Sequence, residues 1–167
     1  DFAVRKGFTY TVLDPAEEAM SNGELSPIQA THPASLGTAP DEVVIAVGPA
    51  FADGLRETIN GLDHGDVLAA IVDGAAEAGA VPRIVRIGRV ADVAFVAHDG
   101  ARLSGSGVAI GIQSKGTAVI HRADLQPLDN LELFGMSPLY TIESYRAMGR
   151  NAAGYAHLVM DTRGQGG

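Results

Sequence analysis

Apolar residues in this chain gather into short runs set apart by Gly, Pro and Asp. Val43-Val44-Ile45-Ala46-Val47 is an unbroken run, the pattern of a strand buried on both faces. Gly48-Pro49 breaks it. Phe51, Leu55 and Ile59 then recur at i, i+4 and i+8, which predicts a helix ended by Gly61. Asp66 caps a second predicted helix with Val67, Leu68, Ile71 and Ala75 on one face, closed by Gly79 and Pro82. Three strand-like runs follow at residues 84–87, 93–97 and 108–112, and residues 118–120 form a fourth or a continuation. Asp99-Gly100 marks a turn between two of them. Thr141 caps a last helix with Ile142, Tyr145, Met148 and Ala152 inward. A long helical crossover gives the first strand a parallel neighbour, and the short turn implies an antiparallel pair. The expected fold is α/β: a three-layer α/β/α domain with a mixed, mostly parallel sheet.

The first 40 residues differ. Asp14-Pro15-Ala16-Glu17 has the cap, proline and glutamate of a helix start, with a stop near Asn22-Gly23. The stretch SPIQATHPASLGTAP has no apolar period and is expected to be an irregular linker. Residues 1–40 are therefore assigned as an N-terminal extension or junction, 41–160 as the α/β domain and 161–167 as a flexible tail. The chain begins at Asp1 rather than Met, so a fragment or a processed chain is expected.

Length and composition narrow the class. The 167 residues suit one domain, and the absence of Cys removes disulfides, Cys-zinc sites, iron–sulfur clusters and thiol nucleophiles. The net charge is −8, so nucleic acid is not an expected partner. No membrane partner is expected either, for want of a polybasic patch or a long apolar run. Charge is uneven: residues 1–82 hold three basic against 13 acidic side chains, residues 83–150 eight against six. An anionic group is therefore better met by the second part.

Familiar catalytic patterns are missing. No G-x-S-x-G opens a helix, no H-E-x-x-H is present, and the first strand leads to Gly48-Pro49-Ala50-Phe51 rather than G-x-G-x-x-G. Gly111–Thr117 ends Lys-Gly-Thr and is not a Walker A loop. No catalytic or metal-ligating residue is assigned. The informative stretch is LSGSGVAIGIQSKGTAVIH (residues 103–121). Glycine weakens a strand, and its density here lets a ligand or another backbone approach closely. Lys115 is one of two lysines in the chain. Set between Ser114 and Gly116 and followed by Thr117, it is a candidate point-charge contact for a phosphate, or an exposed turn residue. Asn130, in QPLDNLELFGMSP, can present donors and acceptors to a polar ligand edge, or belong to a loop anchored by Leu131, Leu133 and Phe134. Asp92 can accept an amide, or serve as a turn acid at a strand edge.

Three segments together resemble one family: DEVVIAVGPAF (residues 41–51), ADVAFVA through RLSGSGVAIGIQSKGTAVIH (91–121) and PLDNLELF (127–134). The resemblance is to the medium subunit of adenosylcobalamin-dependent diol and glycerol dehydratases and runs from residue 41 to about 157. It implies an enzyme that removes water from 1,2-diols or glycerol through a 5′-deoxyadenosyl radical. Substrate and catalytic residues would sit on a large barrel subunit. The medium subunit, with a three-layer α/β fold, would cover the lower, nucleotide side of the cobalamin. Lys115 and Thr117 would meet the nucleotide-loop phosphate or ribose, and Asp92 and Asn130 the corrin amides or the nucleotide. Residues 134–137, with Gly135 and Met136, would lie under the corrin. Related chains often carry Pro-Gln where Gly135-Met136 stands. The D-x-H-x-x-G pattern is absent, since Asp63 and His64 are adjacent, so cobalt would keep its own benzimidazole base. Implied partners are the large and small subunits, or a fused large segment, and a reactivating factor. The implied location is cytoplasmic, with a bacterial microcompartment left open. The alternative is the small subunit of the dehydratase-reactivating factor, a chaperone of the same fold.

Overall fold

A computed structural model describes residues 10–13 and 30–165. Its strands are β1 (Tyr10–Leu13), β2 (Ala30–Pro33), β3 (Glu42–Val47), β4 (Val81–Ile87), β5 (Val108–Ile112), β6 (Ala118–Arg122) and β7 (Glu132–Phe134). Its helices are α1 (His64–Glu77), α2 (Val93–Leu103) and α3 (Ile142–Gln165), with a 3₁₀ turn at Ser137–Leu139. The strands form one sheet in the order β2-β1-β4-β3-β5-β6-β7.

β3 is the axis of the domain. Val43 to Val47 have no exposed surface, as the continuous apolar run predicts for a strand covered on both faces. It pairs in parallel with β4 on one side and β5 on the other. The chain steps from β3 to β4 through α1, then back across β3 to β5 through α2. Right-handed crossovers running in opposite directions place their helices on opposite faces. One face carries Val43, Ile45, Val47, Val108, Ile110, Ala118 and Ile120 under α1 and α3. The other carries Val44, Ala46, Val85, Ile87 and Ala109 under α2. The three-layer α/β/α arrangement and the mixed sheet are as expected. The parallel share is smaller than expected: only β4-β3-β5 pair in parallel, and the other four pairings are antiparallel.

Two predicted elements change type. No helix covers residues 51–59. Ala52, Gly54 and Gly61 have φ of 53°, 78° and 81°, and Leu55 and Ile59 are 52% and 58% exposed. Only Phe51 of the spaced trio has core to face. Residues 93–97, expected as a strand, open α2, and Asp99-Gly100 lies inside that helix instead of marking a turn. Asp92 caps it, its side chain accepting from Ala94 N–H at 2.9 Å. Small residues bring this helix down onto the sheet: a Cβ at Gly111 would lie 2.7 Å from the Ala97 Cα, and one at Gly100 2.7 Å from the Ala46 Cβ. The antiparallel turn sits instead in the β5–β6 hairpin. α1 begins one turn earlier than predicted, capped by Asp63, whose carboxylate accepts from Asp66 N–H.

Within the first 40 residues, β1 and β2 extend the sheet beyond β4. Ala30–Pro33 is thus a strand where an irregular linker was expected. The helix start at Asp14 lies outside the described residues.

α1 and α3 meet through glycine. A Cβ at Gly149 would overlap the Ile71 carbonyl, and one at Gly74 the Arg146 carbonyl. Arg146 and Arg150 of α3 meet Glu77 of α1 at 2.6 and 3.4 Å above this crossing. Such exposed pairs add little, so the close approach rests on the glycines. Gly149→Ala should lower stability by about 1–3 kcal/mol, the usual range for overpacking. Urea unfolding of the variant against the parent checks this.

Candidate functional site

Parallel strands β3, β4 and β5 end at the same edge of the sheet, where open α/β sheets build their sites. The loop after β3 and the β5–β6 hairpin meet there. Gly48 N–H donates to the Ile112 carbonyl at 3.0 Å. Arg86 of β4 donates to the carbonyls of Gly48 and Pro49 at 2.8 and 3.2 Å, and its burial lowers the guanidinium pKa.

The hairpin turn, residues 113–117, is fastened from several sides. Gly116, at φ 100°, supplies a left-handed position. Its N–H donates to Gln113 O at 2.9 Å, and Gln113 N–H donates to Thr117 O at 3.1 Å. Outside the turn, His64 Nε2–H donates to Ser114 O at 2.7 Å. Ile59 N–H donates to Lys115 O at 3.1 Å, and the Tyr145 hydroxyl donates to Gly116 O at 2.8 Å. Tyr145 is buried, which with Tyr140 nearby pushes its hydroxyl up to about 12. It is therefore a donor at every working pH. His64 is buried, stacks on Phe51 with ring centroids 4.2 Å apart, and accepts at Nδ1 from Ala52 N–H at 2.8 Å.

Lys115 is exposed and has no ion-pair partner among the described residues. The Ser114 and Lys115 amides and the Thr117 hydroxyl likewise have no hydrogen-bond partner there. Apolar side chains stand beside these donors. Ile59, Met136 and Leu139 are 58%, 61% and 72% exposed. Asn60 donates to Tyr140 O at 2.7 Å and Met136 N–H to the Tyr140 hydroxyl at 3.0 Å, so these residues share one surface. Unpaired donors beside exposed apolar groups suit a ligand with an anionic part and a broad apolar part.

The predicted site residues are only partly brought together. Lys115 and Thr117 share the hairpin, and Gly135 and Met136 follow β7, whose Phe134 pairs with Ala118 just beyond that hairpin. Asp92 is at the same edge of the sheet but after β4, with β3 between it and the hairpin. Its carboxylate caps α2, and its loop is tied down by Arg89, which bonds buried Asp99 at 2.5 and 2.7 Å. Asn130 precedes β7 and lies toward the other end of the sheet, roughly 13 Å of strand back from Phe134. Of the glycines, Gly105 and Gly111 admit another backbone, at Ala39 and Ala97, rather than a ligand. A groove of about 370 Å³ lies at the opposite end, lined by Arg122, Asp124, Tyr155, Leu158 and Arg163. It holds none of the predicted residues.

With this geometry in place, comparison with known proteins assigns the fold and the lineage. Residues 48–160 match the dehydratase medium subunit family. The chain belongs to that family. Among solved structures, a glycerol dehydratase reactivase aligns with TM-score 0.57 and 20% identity, over 70% of this chain and 91% of that one. A diol dehydratase-reactivating factor complexed with ADP and Mg2+ aligns with TM-score 0.53 and 22% identity, over 70% and 92%. At these identities the two structures share the fold. As a dehydratase medium subunit, the chain is one component of an enzyme and works with other dehydratase subunits. No helix among the described residues is long and apolar enough to cross a membrane.

Sequence reasoning missed His64 and Tyr145 as parts of the site. The sequence marks Tyr145 only as an inward residue of the last helix, and His64 only as the neighbour of Asp63. Their partner carbonyls lie 50 and 29 positions away, and no local spacing signals such contacts.

The loop leading to Asn130 depends on a histidine pair. His121 accepts from Arg122 N–H at 2.9 Å and donates from Nε2 to Pro127 O at 2.8 Å. The His98 ring meets it edge-on at 4.9 Å, and the buried His98 Nε2 has no hydrogen-bond partner among the described residues. Burial, then His121 and Arg102, lower the His98 pKa from 6.5 against the opposing pull of the Leu125 carbonyl and Asp99. The folded chain thus binds the proton less well than the unfolded chain, so stability is lost as pH falls below about 6.5. His98→Leu should flatten this loss, as read from melting temperatures between pH 5 and 8.

Proposed function

We propose that this medium subunit serves an adenosylcobalamin-dependent diol or glycerol dehydratase and covers the nucleotide side of the cofactor. The family assignment supports the subunit role. The single observation that carries the cofactor reading is Lys115, exposed and without an ion-pair partner among the described residues, in a turn whose carbonyls are engaged from within the protein. Lys115 and Thr117 would hold the phosphodiester or ribose of the nucleotide loop. Exposed Ile59, Met136 and Leu139 would lie against the apolar face of the corrin, with the Gly135 backbone beside them. Asp92 and Asn130 would accept or donate to corrin amides. Because Asn130 stands at the far end of β7, it would not share the contact made by Lys115.

When bound, adenosylcobalamin supplies the radical chemistry. This chain's residues bind and orient it and keep water from its lower side. One isolated lysine in a glycine-rich turn of an acidic protein suits one phosphodiester better than a polyanion. The substrate pocket, and with it the choice between propane-1,2-diol and glycerol, would belong to the large subunit or a fused large segment. The reactivating factor would be a further partner, in the cytoplasm or in a microcompartment.

One second reading is the small subunit of a reactivating factor, since solved reactivase chains share this fold. Native mass spectrometry of the complex purified from its source separates the two. The first expects a large chain and a corrinoid-sized ligand beside this chain; the second expects a large chaperone partner without corrinoid. Within the first reading, Lys115→Ala should weaken cyanocobalamin binding to the assembled complex by about 1–3 kcal/mol, as for loss of a charged hydrogen bond. Its melting temperature should hold, because Lys115 is exposed. Unchanged affinity would remove Lys115 from the site.

A further inference from the structure

We infer that His64 is a positioning residue that sets the Lys115 turn for anion binding, acting through the Ser114 carbonyl. This rests on the proposed cofactor reading and adds a residue to it. The carbonyls of Ser114, Lys115 and Gly116 are three in a row, and each accepts a hydrogen bond from a different part of the chain. Carbonyl oxygens repel an anion. With all three occupied by protein donors, the main-chain groups that the turn leaves without a partner among the described residues are donors, the Ser114, Lys115 and Thr117 amides, and the Lys115 ammonium and Thr117 hydroxyl stand beside them. A turn of this kind selects for negative charge.

His64 differs from the other two supports. Ile59 contributes a backbone N–H, which no side-chain change removes. Tyr145 also fills the core beneath α3. His64 joins two loops with one ring. Ser114 O can only accept, so Nε2 carries the hydrogen; Ala52 N–H can only donate, so Nδ1 is bare. The ring is therefore neutral and in one tautomer, and stacking on Phe51 fixes its plane. Through it the turn is tied to Ala52, a non-glycine residue held at φ 53°. Backbone strain of this kind persists only where the surroundings enforce it.

Amide side chains can separate the two bonds. In His64→Gln the terminal NH2 falls near the imidazole Nε2 and can still reach Ser114 O. In His64→Asn the carbonyl oxygen falls near Nδ1 and can still accept from Ala52 N–H, but Ser114 is lost. His64→Phe keeps the stacking and loses both. Cyanocobalamin affinity and melting temperature would be measured on the assembled complex for these variants, for Lys115→Ala, and for the Lys115→Ala/His64→Phe double. If His64 acts through the turn, the Gln variant stays near the parent. The Asn and Phe variants then weaken affinity roughly tenfold, the scale of one hydrogen bond, whatever their melting temperatures. In the double variant the two losses would be less than additive, because both act on one turn.

If Asn preserves affinity and Gln does not, His64 serves the Ala52 loop and the inference is overturned. It is also overturned if affinity merely follows melting temperature across the series. Should the Phe variant fail to assemble, the Gln and Asn pair still decides. If Lys115→Ala binds like the parent, the cofactor reading itself fails. If Lys115→Ala weakens binding while every His64 variant binds like the parent, only the role of His64 fails.

Discussion

Val43 to Val47 offer apolar side chains on both faces of a strand that keeps no surface of its own, and the rest of the domain is arranged to cover them. Two parallel neighbours satisfy the backbone of β3. Two right-handed crossovers, leaving in opposite directions, then have to lay α1 on one face and α2 on the other. The parallel direction of β3, β4 and β5 brings their ends to one edge, and the loops that follow them meet there. The Lys115 turn owes its place to this geometry as much as to its own residues.

Glycine sets how closely the layers approach. Gly74 and Gly149 let α1 and α3 touch backbone to backbone, Gly111 lets the sheet meet the backbone of α2, and Gly100 seats α2 on the side chains of Ala46 and Ala109. With the layers this close, Tyr145 can reach from α3 to the Gly116 carbonyl, and His64, the first residue of α1, can reach Ser114. Helix packing and site geometry are therefore linked. A longer side chain at the α1–α3 crossing would move the donors that hold the turn.

Much of the framework was legible in sequence because burial and local pattern agreed. Continuous apolar runs marked β3 and β5, and the 3.6-residue period with inward Tyr145, Met148 and Ala152 marked α3. Elements failed where a local pattern had no tertiary counterpart. Phe51, Leu55 and Ile59 have helical spacing, but only Phe51 finds a core. VAFVA reads as a strand because of its valines, yet Asp92 caps it and Gly111 leaves room for a helix above. At the site, Lys115 stood out as an isolated lysine in a glycine-rich turn. The supports behind it did not, since hydrogen bonds to backbone carbonyls leave no motif. Asp92 was legible as an acid at an element boundary; that it caps a helix depended on knowing that a helix was there.

The central position of β3 also bears on how the chain acquires its structure. Val43 pairs with Val108, 65 positions later, and with Pro82 on its other side. Closing such long loops before any reward slows folding. During synthesis β3 emerges well before β5, so its two apolar faces must wait for partners still to be made. An unpaired strand of this composition is a sticky intermediate. Nascent chains of this domain are therefore exposed to misassociation until β5 docks, and that interval is where folding helpers in the cell have most to do.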